Sequence, residues 1–254
     1  MPFKYVNGNI GLFFNMAGSG KPIVLIHHLA GSYKSWKFVS PKLAEENLIL
    51  VYDLRGHGRS SIPFGPYYIE DHSQDLRSLI LQLRLESPIL VGHSIGSLVA
   101  IDYALKYNTE KLILIGALYK SPSAQAYEKY LRVAQNFGMR ALAEYRRIYK
   151  EFSEKLINNY TAWNSLLEVY EETNVLGYKY AVEGLLMAKD YSEDLKKISS
   201  KTLLIYGNND GLISNLSVFK NNMKDIETKI IDDCGHFPNF EDPETLVKFI
   251  KNFL

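Results

Sequence analysis

Apolar residues fall in two patterns along this chain. The first is a set of short, unbroken runs: Ile23–Ile26, Leu48–Tyr52, Pro88–Val91, Lys111–Ile115 and Thr202–Tyr206. They are rich in Ile, Val and Leu and do not alternate with polar residues. Strands covered on both faces read this way, as in a parallel sheet between helical layers. Thr228–Ile231 is a weaker candidate for a last strand. Ahead of them, Phe3–Val6 and Ile10–Phe14 flank Asn7-Gly8-Asn9, which predicts an antiparallel hairpin.

The second pattern has helical spacing. Leu76, Leu79, Ile80 and Leu83 share one face, and Ile95–Tyr107 carries Leu98, Val99, Ile101 and Ala104 straight after a strand. Asp242-Pro243 opens a last helix, with Asp as its cap and Pro at the first helical position. Strands alternating with helices predict an α/β fold with a mostly parallel, doubly wound sheet. One segment breaks the alternation. From Tyr119 to Leu195 no strand is predicted, only helical stretches at Ala124–Asn136, Arg140–Phe152 and Ser165–Glu172. A crossover between parallel strands needs only about a dozen residues. This is therefore an all-helical insertion, or cap (119–195), on a core made of 1–118 and 196–254.

Composition narrows the possibilities. The chain has 254 residues, 46% hydrophobic and 22% charged, enough to bury a core without metal or disulfide staples. A net charge of +1 gives no footprint for nucleic acid or an anionic membrane. The lone cysteine, Cys234, excludes an intrachain disulfide and a cysteine-based zinc site. There is no signal-peptide pattern and no apolar run of the ~18 residues a membrane span needs. A cytoplasmic protein is expected, as a monomer or homodimer without metal or cofactor.

Gly92-His93-Ser94-Ile95-Gly96 lies between a predicted strand and a predicted helix. A serine there sits on a sharp turn that lifts its hydroxyl above the sheet, and the flanking glycines keep a Cβ out of that turn. The Ile95 N–H falls at a helix N-terminus, where it can donate to an oxyanion. A serine hydroxyl needs a base, and the base an orienting carboxylate. His236, in the loop Asp233-Cys234-Gly235-His236-Phe237-Pro238, comes late enough in the chain to be that base. His93 adjoins the serine but should point away, and His27, His28 and His57 belong to earlier loops. Asp210 follows the strand Thr202–Tyr206 and is the candidate acid; Asp232 and Asp233 lie on the strand end beside His236 itself. A second oxyanion donor should come from the loop after Ile23–Ile26, and Leu29 N–H is the choice there.

These features, with Tyr52-Asp53-Leu54-Arg55-Gly56-His57-Gly58-Arg59-Ser60, resemble the landmarks of the α/β-hydrolase family in that family's order. The resemblance covers nearly the whole chain. It implies Ser94 as nucleophile, Asp210 as acid, His236 as base, Leu29 and Ile95 N–H groups as oxyanion hole, and a helical cap. The stretch Asp53–Ser60 is then a supporting loop. Serine at the elbow disfavours the dehalogenases and epoxide hydrolases of this fold, which use aspartate. It suits carboxylic ester hydrolysis through an acyl-enzyme. Lactonases, carbon–carbon bond hydrolases, cofactor-free perhydrolases and ligand sensors share the same motifs.

Two features depart from the family. His27-His28 stands where members commonly have His-Gly, so a bulkier residue is expected at the mouth or oxyanion loop. Gly96-Ser97 stands where many have two glycines. More than half of the 18 tyrosines lie in the cap. With Trp163 and Phe137 they are expected to line an apolar pocket for a small, uncharged or weakly polar ester.

Overall fold

Asn7, Gly8 and Asn9 all take positive φ (37°, 82° and 79°), which reverses the chain between β1 (Phe3–Val6) and β2 (Ile10–Ala17). The computed structural model describes residues 3–107 and 109–254. Six further strands follow: β3 (Lys21–Ile26), β4 (Asn47–Tyr52), β5 (Ile89–His93), β6 (Lys111–Ile115), β7 (Lys201–Gly207) and β8 (Ile226–Ile231). They form one sheet in the order β1-β2-β4-β3-β5-β6-β7-β8. The β1–β2 and β2–β4 pairs are antiparallel and all others parallel. This is the predicted mostly parallel, doubly wound sheet.

The unbroken apolar runs have the predicted meaning. In β3, Ile23 and Leu25 enter one core while Val24 and Ile26 enter the other, and all four are fully buried. Helix α1 (Ser40–Leu43) and the last helix cover the first face. Helices α2 (Ile69–Gln82) and α3 (Ile95–Lys106) cover the second. Burying each such side chain is worth about 1.5–3 kcal/mol, so both layers are held by the same kind of contact.

Between β6 and β7 lie α4 (Ala124–Ile148), α5 (Glu154–Asn158), α6 (Tyr160–Glu171) and α7 (Val175–Leu186). After β7 come α8 (Leu216–Asn222), α9 (Pro238–Glu241) and α10 (Pro243–Phe253). Asp242 caps α10, accepting from the Thr245 N–H at 3.1 Å. Several expected boundaries differ: α6 begins at Tyr160 and not Ser165, and β8 at Ile226 and not Thr228. The stretches at Ala124–Asn136 and Arg140–Phe152 are one run, α4, kinked at Gly138 (φ 85°) and ending at Ile148. Helix α7 was not predicted at all. Its Gly177 and Gly184 weaken the helical pattern but fit the packing. A Cβ at Gly177 would lie 1.9 Å from the Gly56 carbonyl oxygen, and one at Gly184 1.6 Å from that of Tyr67.

Helices α4–α7 share a core with Ala30 and Phe237, on loops beyond β3 and β8, and with Phe240 of α9. The cap therefore rests on the carboxyl end of the sheet, where ligands bind in folds of this kind. No described helix is long and apolar enough to cross a membrane.

Candidate active site

Ser94 follows β5 with φ 57° and ψ −118°, a conformation that a side chain adopts only when its surroundings force it. The surroundings are tight. A Cβ on Gly92 would lie 2.3 Å from the Gly96 carbonyl oxygen, and one on Gly96 2.5 Å from that of Ile26. The Ser94 N–H donates to the Ile115 carbonyl (3.0 Å), and its own carbonyl accepts from the Ser97 hydroxyl (2.5 Å). At the first position of α3 the Ile95 N–H has no intrahelical acceptor.

His236 and Asp210 meet at the same end of the sheet. His236 Nδ1 lies 2.9 Å from Asp210 Oδ2, and Asp210 is buried. The second carboxylate oxygen accepts from the Leu212 N–H (2.9 Å), so the acid is fixed through both oxygens. With Nδ1–H donating to Asp210, Nε2 is left as the basic nitrogen. Asp232 and Asp233 are exposed. Ser94 and His236 border one cavity. No hydrogen bond joins their side chains among the described residues, and such contacts often close only when substrate binds.

Two residues that hold this pair, Gly116 and Glu241, were not singled out in the sequence, and His93 supports it from the side. Gly116, at the end of β6, has φ 50°. A Cβ there would lie 2.9 Å from His236 Nδ1 and 3.0 Å from Asp210 Oδ2, so the imidazole and carboxylate occupy the space a side chain would need. Glu241 accepts from the Gly235 N–H (2.6 Å) and the Phe237 N–H (2.9 Å), and so clasps the chain on both sides of His236. It also accepts from the Ser153 hydroxyl of the cap (2.5 Å). His93 points away from the elbow, and its Nε2–H donates to the His236 carbonyl (2.7 Å). Burial holds His93 well below the usual histidine range, so it stays neutral. A positive φ after β6 and a buried acid five residues beyond His236 are the only local signals for the first two.

The loop after β3 is held by imidazoles. His27 Nδ1–H donates to the His28 carbonyl (2.8 Å), and its Nε2 accepts from the Leu54 N–H (3.0 Å). His28 Nδ1–H donates to the Leu29 carbonyl (2.9 Å), and Nε2 accepts from the Ser35 hydroxyl (3.1 Å). The bulk expected of His28 does stand at the cavity wall. Leu29 borders the cavity, and its N–H has no acceptor among the described residues. Asp53 supports the neighbouring loop by accepting from the Tyr33 and Arg59 N–H groups (2.6 and 2.8 Å). Cys234 is fully buried, and burial pushes its thiol far up, so it is no nucleophile.

The cavity measures about 50 Å³. Its floor is His28, Leu29, Ala30, Ser94, His236 and Phe237. Its roof is Tyr127, Tyr130, Arg146, Tyr170 and Tyr178, all from the cap. This corrects the expected lining. Trp163 is packed inside the cap's own core, Phe137 is 74% exposed, and neither borders the cavity. The roof is aromatic as expected, but it is not uncharged.

A family model for the alpha/beta hydrolase fold matches residues 21–243. The chain belongs to the α/β-hydrolase family. Among solved structures of the fold, a thermophilic esterase from Thermogutta terrifontis is 26% identical with a TM-score of 0.89, covering 100% of this chain and 96% of its own. An enol-lactonase from Burkholderia xenovorans is 24% identical with a TM-score of 0.91, covering 99% of each chain. An uncharacterized protein of Mycobacterium tuberculosis is 36% identical over 106 residues, which is 41% of this chain and 31% of that protein. The chain thus spans about a third of the length of that relative.

Proposed function

We propose that this α/β-hydrolase is a serine esterase that cleaves small carboxylic esters through an acyl-enzyme. The observation that carries the reading is the hydrogen bond from His236 to the buried Asp210, beside a cavity that Ser94 borders from a strained turn. His236 Nε2 takes the Ser94 proton as the hydroxyl oxygen attacks the ester carbonyl. Asp210 holds the ring through Nδ1–H and stabilises the imidazolium that forms. The N–H groups of Leu29 and Ile95 donate to the oxyanion, the charge that develops only at this step. Collapse expels the alcohol, which takes its proton from His236. A water then gives its proton to His236, attacks the acyl carbon and releases the acid and Ser94.

A panel of p-nitrophenyl esters from acetate to octanoate, with γ-butyrolactone beside it, tests this reading. Turnover of the short esters is expected. Ser94→Ala should remove it by on the order of 10⁴-fold or more. Retained turnover in Ser94→Ala would overturn the nucleophile. Turnover confined to the lactone would make the chain a lactonase using the same residues.

A further inference from the structure

Arg146 is the one formal charge in the roof. Its Nε–H donates to Glu151 Oε2 (2.9 Å) and its Nη1–H to the Tyr170 hydroxyl (2.6 Å). The guanidinium lies 4.8 Å from the Phe152 ring centroid and 5.2 Å from that of Tyr130. A guanidinium has five N–H donors, and these contacts use two. The others have no acceptor among the described residues. Glu151 does not border the cavity; it accepts from the Tyr130 hydroxyl and lines an adjoining cleft with Ser153, Glu154 and His236. The acid therefore grips Arg146 from outside while the cation still borders the cavity.

The tyrosines add donors of the same sense. Tyr170 accepts from Arg146, which leaves its own O–H free to donate. The hydroxyls of Tyr127 and Tyr178 have no hydrogen-bond partner among the described residues, and Tyr178 is only 3% exposed. Burial raises both phenols above their usual range, so they remain protonated donors. A guanidinium edge beside several O–H donors matches the two oxygens of a carboxylate, whose loss of water only such partners offset.

We propose that the roof is a carboxylate subsite: the esters hydrolysed are short monoesters of dicarboxylic acids, with the free carboxylate held by Arg146 and the Tyr127 and Tyr178 hydroxyls. This rests on the esterase reading of the floor. A cavity of about 50 Å³ limits the acid portion to a few heavy atoms.

The decisive comparison is monoethyl succinate against ethyl succinamate, a neutral ester of nearly the same shape, followed by ethanol release. The wild-type chain should favour monoethyl succinate at least tenfold in kcat/KM. Arg146→Met should lower that ratio by about tenfold to a hundredfold, and Tyr178→Phe by a few-fold. Should Arg146→Met fail to fold, competitive inhibition of the wild type settles the point: succinate should inhibit and succinamide should not. Equal turnover of the two esters, or equal inhibition, would overturn the subsite and leave the esterase standing. If no ester is turned over, the esterase reading fails, and calorimetry of succinate with Ser94→Ala still tests the subsite. Heat of binding that Arg146→Met abolishes supports it, and none overturns it.

Discussion

The floor and the roof of the cavity are built by different means. The floor is main chain and loop: a strained serine turn, two peptide N–H groups, and a histidine loop clasped on both sides by Glu241. Its geometry depends on glycines at Gly92, Gly96 and Gly116, where a single methyl would collide with backbone or with the Asp210–His236 pair. The roof is side chains on helices, with phenols and a guanidinium held by one another and by Glu151. Small changes to the floor should therefore alter the rate of the chemical step, whereas changes to the roof should alter which substrate is chosen.

The largest expected effect falls on the floor as a whole. His27, His28, His57 and His93 are buried on the loops and strand end that form or adjoin it, and His72 is buried on α2 against Tyr67. Burial pushes His28 down to about 3 and His57 down to about 4, and holds the other three well below the usual range. The unfolded chain binds protons near pH 6.5 and the folded chain does not. Stability is thus fully present above pH 6.5 and is lost as pH falls toward 4. His28 and His57 together should cost on the order of 5 kcal/mol by pH 4.5, comparable with the whole stability of many domains. Asp53 works the other way. Burial raises it to about 6, so its penalty is relieved over part of the same range, but it is one group against five. Denaturant melts between pH 7 and 4.5 should show this loss; a flat profile would mean that the histidines open to water without unfolding.

Gly116→Ala comes next. The added methyl must move the His236 ring, and alanine is strained at φ 50°. A fall in kcat of about 10²-fold with an unchanged circular dichroism spectrum is expected. Near-normal turnover would show the floor to be more yielding than its contacts suggest. Glu241→Gln should cost less, about tenfold in kcat with little change in KM. An amide has one carbonyl oxygen and cannot accept well from both the Gly235 and Phe237 N–H groups. A change confined to KM would place Glu241 with the roof instead. The smallest effect is expected on the exposed surface of the cap, away from the cavity: Phe137→Ser should shift stability by no more than about 0.5 kcal/mol and leave KM unaltered.

The two regions also differed in how plainly the chain announced them. Runs such as Ile23–Ile26 and Leu112–Ile115 can satisfy their side chains only between two layers, so the sheet was legible from them. The order of Ser94, Asp210 and His236 along the chain is likewise readable, and the sheet carries all three to its carboxyl end. What the sequence hid was set by distant contacts. Gly116 follows a strand like any turn glycine until His236 arrives from 120 residues away. Arg146 sits in a helix beside Arg147 and reads as a solvated face; only the closing of Phe152, Tyr130 and Tyr170 around it makes it a cavity wall. Helix α7 was concealed by the glycines that let it approach the loop at Gly56.

The Ser153–Glu241 contact has a consequence for anyone who treats the cap as an exchangeable module. Ser153 caps α5 through the Leu156 N–H, and its hydroxyl bonds to the carboxylate that clasps the His236 loop. Two residues on, Lys155 pairs with Asp242 (3.3 Å), the residue that caps α10. A cap transplanted from a relative would bring new specificity, but it would also cut a seam stitched to the histidine's own anchor. Chimeras should keep residues 153–155 with the core, so that the graft boundary falls inside the helical segment and not at the ends of β6 and β7.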